Sequence, residues 1–262
     1  TDAALAMAMG HVILKEYHVD NPSEYFKTYC QTTTDFPYLV KLDPSDKGLM
    51  QGSFLRASDL SENLGQDNNP EWKTIAWDSK TGQLVSPTGS VGYRWGEKGK
   101  WNIDQLDGKT GEALDLALSL KGISDDVVDV AFPYFGGTEH EYGYYQHTKH
   151  DAIQLRKVPA KKVTLADGSS CLVASVYDLT VAHYGVDNGL GCNNVAKSLD
   201  DDAPYTPAWQ EKITGVSRDE VIQVAREFAT NADKTHGRSM IIIGVAMNHW
   251  YNLDFNYRGC TN

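Results

Sequence analysis

The sequence predicts an α/β protein: part of a doubly wound, Rossmann-like parallel-sheet domain, interrupted by a β-rich insertion dense in Trp and Gly. Three observations carry this. Residues 240–243 (Met-Ile-Ile-Ile) are an unbroken apolar run ended by Gly244. Such a run fits a strand buried on both faces, as in a parallel sheet. Just upstream, Ser217-Arg218-Asp219-Glu220 is a capping box, and Val221, Val224, Ala225 and Phe228 fall three or four apart on one helical face. A helix feeding a buried strand is the α-then-β unit of a doubly wound sheet. Third, helical periodicity disappears between residues 61 and 107, where Trp72, Trp77, Trp95 and Trp101 fall among dense Gly, Asn and Pro. The expected organisation is an α/β part at 1–60, a β-rich insertion at 61–177 and a return to the α/β part at 178–262.

The remaining elements follow in order. Ala3 to Leu14 is rich in Ala, Leu and Met, all strong helix formers, and Thr1 or Asp2 is placed to cap its free amides. His11 falls mid-helix and is expected to pack rather than to ligate. Asp20-Asn21-Pro22 reads as a turn into a second helix from Ser23 to about Thr32. Residues 35–42 read as a strand and 49–59 as a strand and turn. Ser79-Lys80-Thr81-Gly82 and Asp167-Gly168 each lie between strand-like runs, and both predict hairpins. Residues 114–120 alternate apolar and polar with period two, which predicts a half-exposed strand. Glu139, His140, Glu141, His147 and His150 are the most metal-like local composition, but their spacing matches no metal pattern and a solvated loop is expected.

Composition excludes several classes. A net charge of −11 over 262 residues argues against a nucleic-acid surface, though a local site can still be positive. No apolar run is long enough to span a membrane, and no signal peptide is visible at the N-terminus. Cys30, Cys171, Cys192 and Cys260 are widely and irregularly spaced, which fits neither zinc nor an iron–sulfur cluster, so free thiols are expected. The chain opens on Thr1 without Met and stops just after a site-like loop, so an internal piece of a longer polypeptide is expected.

That loop is the candidate site. After Gly244 and Val245 the chain turns polar and aromatic: Asn248-His249-Trp250-Tyr251-Asn252. In open α/β sheets, ligands bind outside the carboxyl ends of the strands. By pattern alone the stretch also fits an ordinary strand-to-helix turn.

Here a resemblance adds to the residues. The stretch 231–259, with the blocks at 1–10, 68–74, 93–102, 132–136, 205–216 and 225–229, resembles the nitrate reductase alpha-subunit branch of the molybdopterin oxidoreductase family. The blocks Arg94-Trp95-Gly96-Glu97-Lys98-Gly99-Lys100-Trp101-Asn102 and Asn248-His249-Trp250-Tyr251-Asn252-Leu253-Asp254 point to that branch; Thr214-Gly215-Val216 with its helix points only to the superfamily. The resemblance implies a molybdenum bis(molybdopterin guanine dinucleotide) cofactor and reduction of nitrate to nitrite by oxygen-atom transfer. It implies a [4Fe-4S] cluster in the full-length subunit, and neither the cluster's ligands nor the molybdenum's match this stretch. It implies Thr1 and Asp2 at the guanine end of the cofactor, where a carboxylate suits adjacent N–H donors. Asn248 and His249 match positions beside the pterin and the metal, with Gly244, Val245, Trp250 and Asn252 as the surrounding wall. The implied partners are an iron–sulfur beta subunit and a haem-b membrane anchor, on the cytoplasmic face of the membrane. A related oxyanion reductase or formate dehydrogenase, and a non-catalytic α/β nucleotide-binding module, stay open as alternatives.

Overall fold

A computed structural model describes residues 1–87, 105–133, 153–249 and 253–261. The chain forms two compact units: 1–26 with 133–154 and 181–262, and 27–132 with 155–180.

The second unit is built on a mixed six-stranded sheet of order β6-β5-β2-β1-β8-β7. Its strands are β1 (Leu39–Ser45), β2 (Gly48–Phe54), β5 (Val127–Pro133), β6 (Ile153–Pro159), β7 (Lys161–Thr164) and β8 (Ser170–Ser175). β1 pairs antiparallel with β2 and with β8, and β7 pairs antiparallel with β8. β2 meets β5 in parallel, with Leu49 opposite Val130. A separate hairpin joins β3 (Ala76–Asp78) to β4 (Gln83–Val85). Both hairpins read from turn residues form, for a shared reason. Gly82 and Gly168 take the left-handed φ values of 68° and 83° that a side chain resists. The carboxylates of Asp78 and Asp167 accept hydrogen bonds from the amide and hydroxyl of Thr81 and Ser169 respectively. The core holds Leu39, Leu55, Ile75, Leu120, Val163 and Val173, all buried.

The first unit is helical. α1 (Asp2–Ile13) packs against α4 (Pro207–Thr214), α5 (Arg218–Thr235) and α7 (Leu253–Thr261). Its small and apolar residues run all round the helix, as contacts on several sides require. Ala4, Ala8, His11 and Val12 are buried. His11 is a packing residue, its Nδ1 3.1 Å from the Tyr184 carbonyl oxygen. The chain continues as a π-helical stretch, Leu14–Asp20. Glu16 here takes both Arg226 Nε and Nη2 of α5, at 2.8 and 2.7 Å. Helices α2 (Glu24–Thr33) and α3 (Val176–His183) each begin in the residue range of one unit and end in that of the other. Ser217 caps α5 as expected, accepting from the Glu220 amide, while its hydroxyl donates a hydrogen bond to the Glu220 carboxylate.

Five expectations are corrected. The described sheet is mixed, with antiparallel pairs dominant, where the sequence predicts a doubly wound parallel sheet with a β-rich insertion. Residues 240–243 form no strand: Met240, Ile241 and Ile242 are 78%, 50% and 84% exposed. Among the described residues no strand pairs with them and no sheet covers them. Residues 114–120 form bridges but no strand, because only part of their backbone pairs with β3 and two of their amides are taken by side-chain carboxylates. The Asp115 amide donates to Asp78, the Ala117 amide to the Trp77 carbonyl and the Leu120 amide to Asp178. Thr1 occupies the N-cap of α1 without a side-chain cap bond, and its carbonyl accepts from the Leu5 amide instead. On α5 the buried face is Val221, Ala225, Ala229 and Ala232, and Val224 is exposed. The blocks at 94–102 and 139–150 lie outside the described residues, apart from their neighbours on either side.

Candidate functional site

Gly244 is the N-cap of the short helix α6 (Val245–Asn248), in extended conformation. Space around its missing Cβ is open, so no crowding demands glycine there in the structure described. Val245 is 66% exposed. The Met247 amide closes the turn on the Gly244 carbonyl at 3.2 Å. Asn248 ends α6, and His249 follows as its C-cap at φ −101° and ψ 3°, exposed. Trp250 and Asn252 lie outside the described residues. The backbone thus presents Gly244, Val245 and His249 along one open turn, with an imidazole at its end.

Thr1 and Asp2 are both exposed at the start of α1. A carboxylate in a helix's first turn complements the dipole there. α7, which follows the His249 turn, packs on α1, and α6 packs on α7. The Gly259 backbone comes against Ala3, and the Cys260 thiol is pushed up by burial and then by the Asp2 carboxylate. One helical unit therefore carries both halves of the expected site: the start of α1, and the α6 turn joined to α7.

All four cysteines are free thiols. Among the described residues no group of three or more His, Cys, Asp or Glu is arranged to hold a metal ion. No described helix is long and apolar enough to cross a membrane.

Two buried polar centres were not singled out from the sequence. Asp178, 2% exposed, accepts from Ser119 Oγ at 2.6 Å, Leu120 N at 2.8 Å and Ser175 Oγ at 2.9 Å. Burial outweighs these bonds and pushes its carboxyl up to about 6. The signal was present: Ser175-Val176-Tyr177-Asp178 has capping-box spacing, and Ser175 Oγ indeed accepts the Asp178 amide at 3.0 Å. In the other unit, His183 stacks on Tyr205 at 5.5 Å and 16°, and Tyr205 meets Trp209 edge-on. Tyr205 holds φ 74°, rare for a bulky residue. Residues this far apart in sequence gave no local signal.

No protein-family profile matches the chain. Relatives match along its whole length. It is 57% identical to the respiratory nitrate reductase 1 alpha chain of Escherichia coli, over 100% of this chain and 21% of that one. It is 42% identical to the nitrate reductase alpha chain of Bacillus subtilis, over 100% of this chain and 20% of that one. The perchlorate reductase alpha subunit of Dechloromonas aromatica is 29% identical over 97% of this chain and 20% of its own length. The chain is thus similar to the alpha chains of nitrate reductases and, more distantly, of a perchlorate reductase. It is similar along its whole length to the respiratory nitrate reductase alpha chains, and it spans about a fifth of their length.

Proposed function

We propose that the chain is a segment of the catalytic subunit of a quinone-linked respiratory nitrate reductase, which reduces nitrate to nitrite. The observation that carries this is 57% identity to such a subunit across every residue of the chain. The perchlorate reductase relative, at 29%, supports the wider oxyanion-reducing class and much less its substrate.

The proposed cofactor is molybdenum held by two molybdopterin guanine dinucleotides, which when bound supplies oxygen-atom transfer. The described residues fit a wall around such a group rather than its metal ligands, since they hold an exposed carboxylate and an exposed imidazole and no metal-binding trio. Asp2, with Thr1, would accept from the ring N–H and amino groups of guanine. The turn from Gly244 through Val245 to Asn248 would line the pterin. His249 would donate a hydrogen bond to a nitrate oxygen and, when protonated, favour the anion. Trp250 and Asn252 would hold that imidazole in place. Metal ligand and [4Fe-4S] cluster would come from the rest of the subunit, with electrons entering through an iron–sulfur beta subunit and a haem-b anchor at the cytoplasmic face of the membrane.

The same reading makes 1–60 and 178–262 parts of one cofactor-binding α/β domain and 61–177 an insertion. It also makes 240–243 a strand of a doubly wound parallel sheet completed by the rest of the subunit. The exposure of the consecutive apolar residues Met240, Ile241 and Ile242 supports this, because a strand inside such a sheet needs cover on both faces.

The test is His249→Ala in the intact enzyme. The expected result is a fall of roughly tenfold or more in nitrate turnover, the scale of a lost charge-stabilising contact, with molybdenum content near normal. Full activity would remove His249 from the site.

A further inference from the structure

Helix α7 carries a glycine in its interior. Glycine is roughly 1 kcal/mol worse than alanine inside a helix, yet Gly259 is buried there. The reason is contact. A Cβ at position 259 would lie 2.9 Å from Ala3 Cβ and 3.2 Å from Ala3 Cα. Neither atom belongs to a flexible side chain that could step aside. Carbon atoms rest at roughly 3.5–4.0 Å, so an added methyl would push the helices apart by about 0.5–1 Å. Ala3 lies in the first turn of α1, next to Asp2. The Cys260 thiol senses the Asp2 charge, so the crossing lies at the very end of α1 that carries Thr1 and Asp2. α7 also packs with α6, whose C-cap is His249.

We infer that Gly259 is a positioning residue: its contact with Ala3 sets the spacing between the Thr1–Asp2 end of α1 and the turn that bears His249. The inference rests on the reading of those two segments as walls of one cofactor site. A misplacement of about 1 Å far from the reacting atoms can cost on the order of a hundredfold in rate, so a methyl group at 259 is enough to matter.

The test uses the intact catalytic subunit in three forms: Gly259→Ala, Ala3→Gly, and both together. For each, kcat and KM for nitrate and molybdenum per folded subunit are measured. Gly259→Ala is expected to lower kcat/KM at least tenfold, or to halve molybdenum per folded subunit. Ala3→Gly, which removes the methyl that would be struck, is expected to restore most of that loss in the double variant. A Gly259→Ala subunit that is folded, fully loaded and kinetically normal overturns the inference, even if less of it folds. So does a double variant no better than the single one. If Gly259→Ala does not fold, Ala3→Ser adds one atom to the same contact. A tenfold loss there supports the inference, and unchanged kinetics overturns it. The unaltered subunit is assayed alongside: its own failure to reduce nitrate would count against the proposed function and not against the helix crossing.

Discussion

At the scale of single residues, two buried ionisable groups pull stability in opposite directions with pH. Burial raises the Asp178 carboxyl from 3.8 to about 6. A raised carboxyl binds its proton more tightly in the folded state. Its contribution is therefore fully present below pH 3.8 and is lost as pH rises through about 6. Burial lowers the His18 imidazole from 6.5 to about 4, against the ring of Phe26 at 5.2 Å. Its contribution is present above pH 6.5 and is lost as pH falls through about 4. A pH profile of the unaltered chain mixes the two. Comparison with Asp178→Asn by urea unfolding at pH 4 and pH 7 separates them: the unaltered chain should lose stability relative to the variant between those values. An equal offset at both pH values would contradict the shift. Asp178→Ala should cost roughly 2–4 kcal/mol, because it leaves Ser119, Ser175 and the Leu120 amide without their acceptor. Asp178 had a legible local cue in its spacing from Ser175. The surroundings that bury it, 58 and 59 residues away in sequence, had none.

At the scale of elements, legibility followed how local the determining chemistry is. The β3–β4 and β7–β8 hairpins were readable because Gly82, Gly168 and the aspartates beside them act within four residues. The α5 cap was readable for the same reason. Ser217→Ala should therefore lower stability by about 1 kcal/mol in thermal or urea unfolding, the usual worth of such a cap; no change would mean that the Glu220 amide is satisfied otherwise. Residues 114–120 misled because period two describes their side chains and not their hydrogen bonds. Leu116 and Leu120 are buried as the alternation implies, and the Ala117 amide bonds to Trp77 of β3, but the Asp115 and Leu120 amides bond to the side chains of Asp78 and Asp178 instead of continuing a ladder. Residues 240–243 have strand composition without a strand's neighbours. Apolar content specifies that a segment wants burial; pairing depends on what is there to pair with.

At the scale of the whole molecule, the described sheet is mixed and the helical unit carries the expected site. Of that site, sequence reading placed Gly244, Asn248 and His249 on a turn, and the structure puts them at the ends of α6. It placed Thr1 and Asp2 at a helix start, and α1 begins there. What no local pattern shows is that α7 links these two places, because the link is a space where a side chain is absent: Gly259 against Ala3. The relatives supply the rest, with identity to nitrate reductase alpha chains spread over the full chain. The most direct measurement is a substrate comparison on the purified intact subunit that carries this segment. Reduced viologen dye would be oxidised with nitrate, perchlorate or, in the reverse sense, formate, and molybdenum would be counted per subunit. The account predicts molybdenum present and kcat/KM highest for nitrate, by at least tenfold. Higher kcat/KM for perchlorate or formate, or a subunit that purifies folded and without molybdenum, would contradict it.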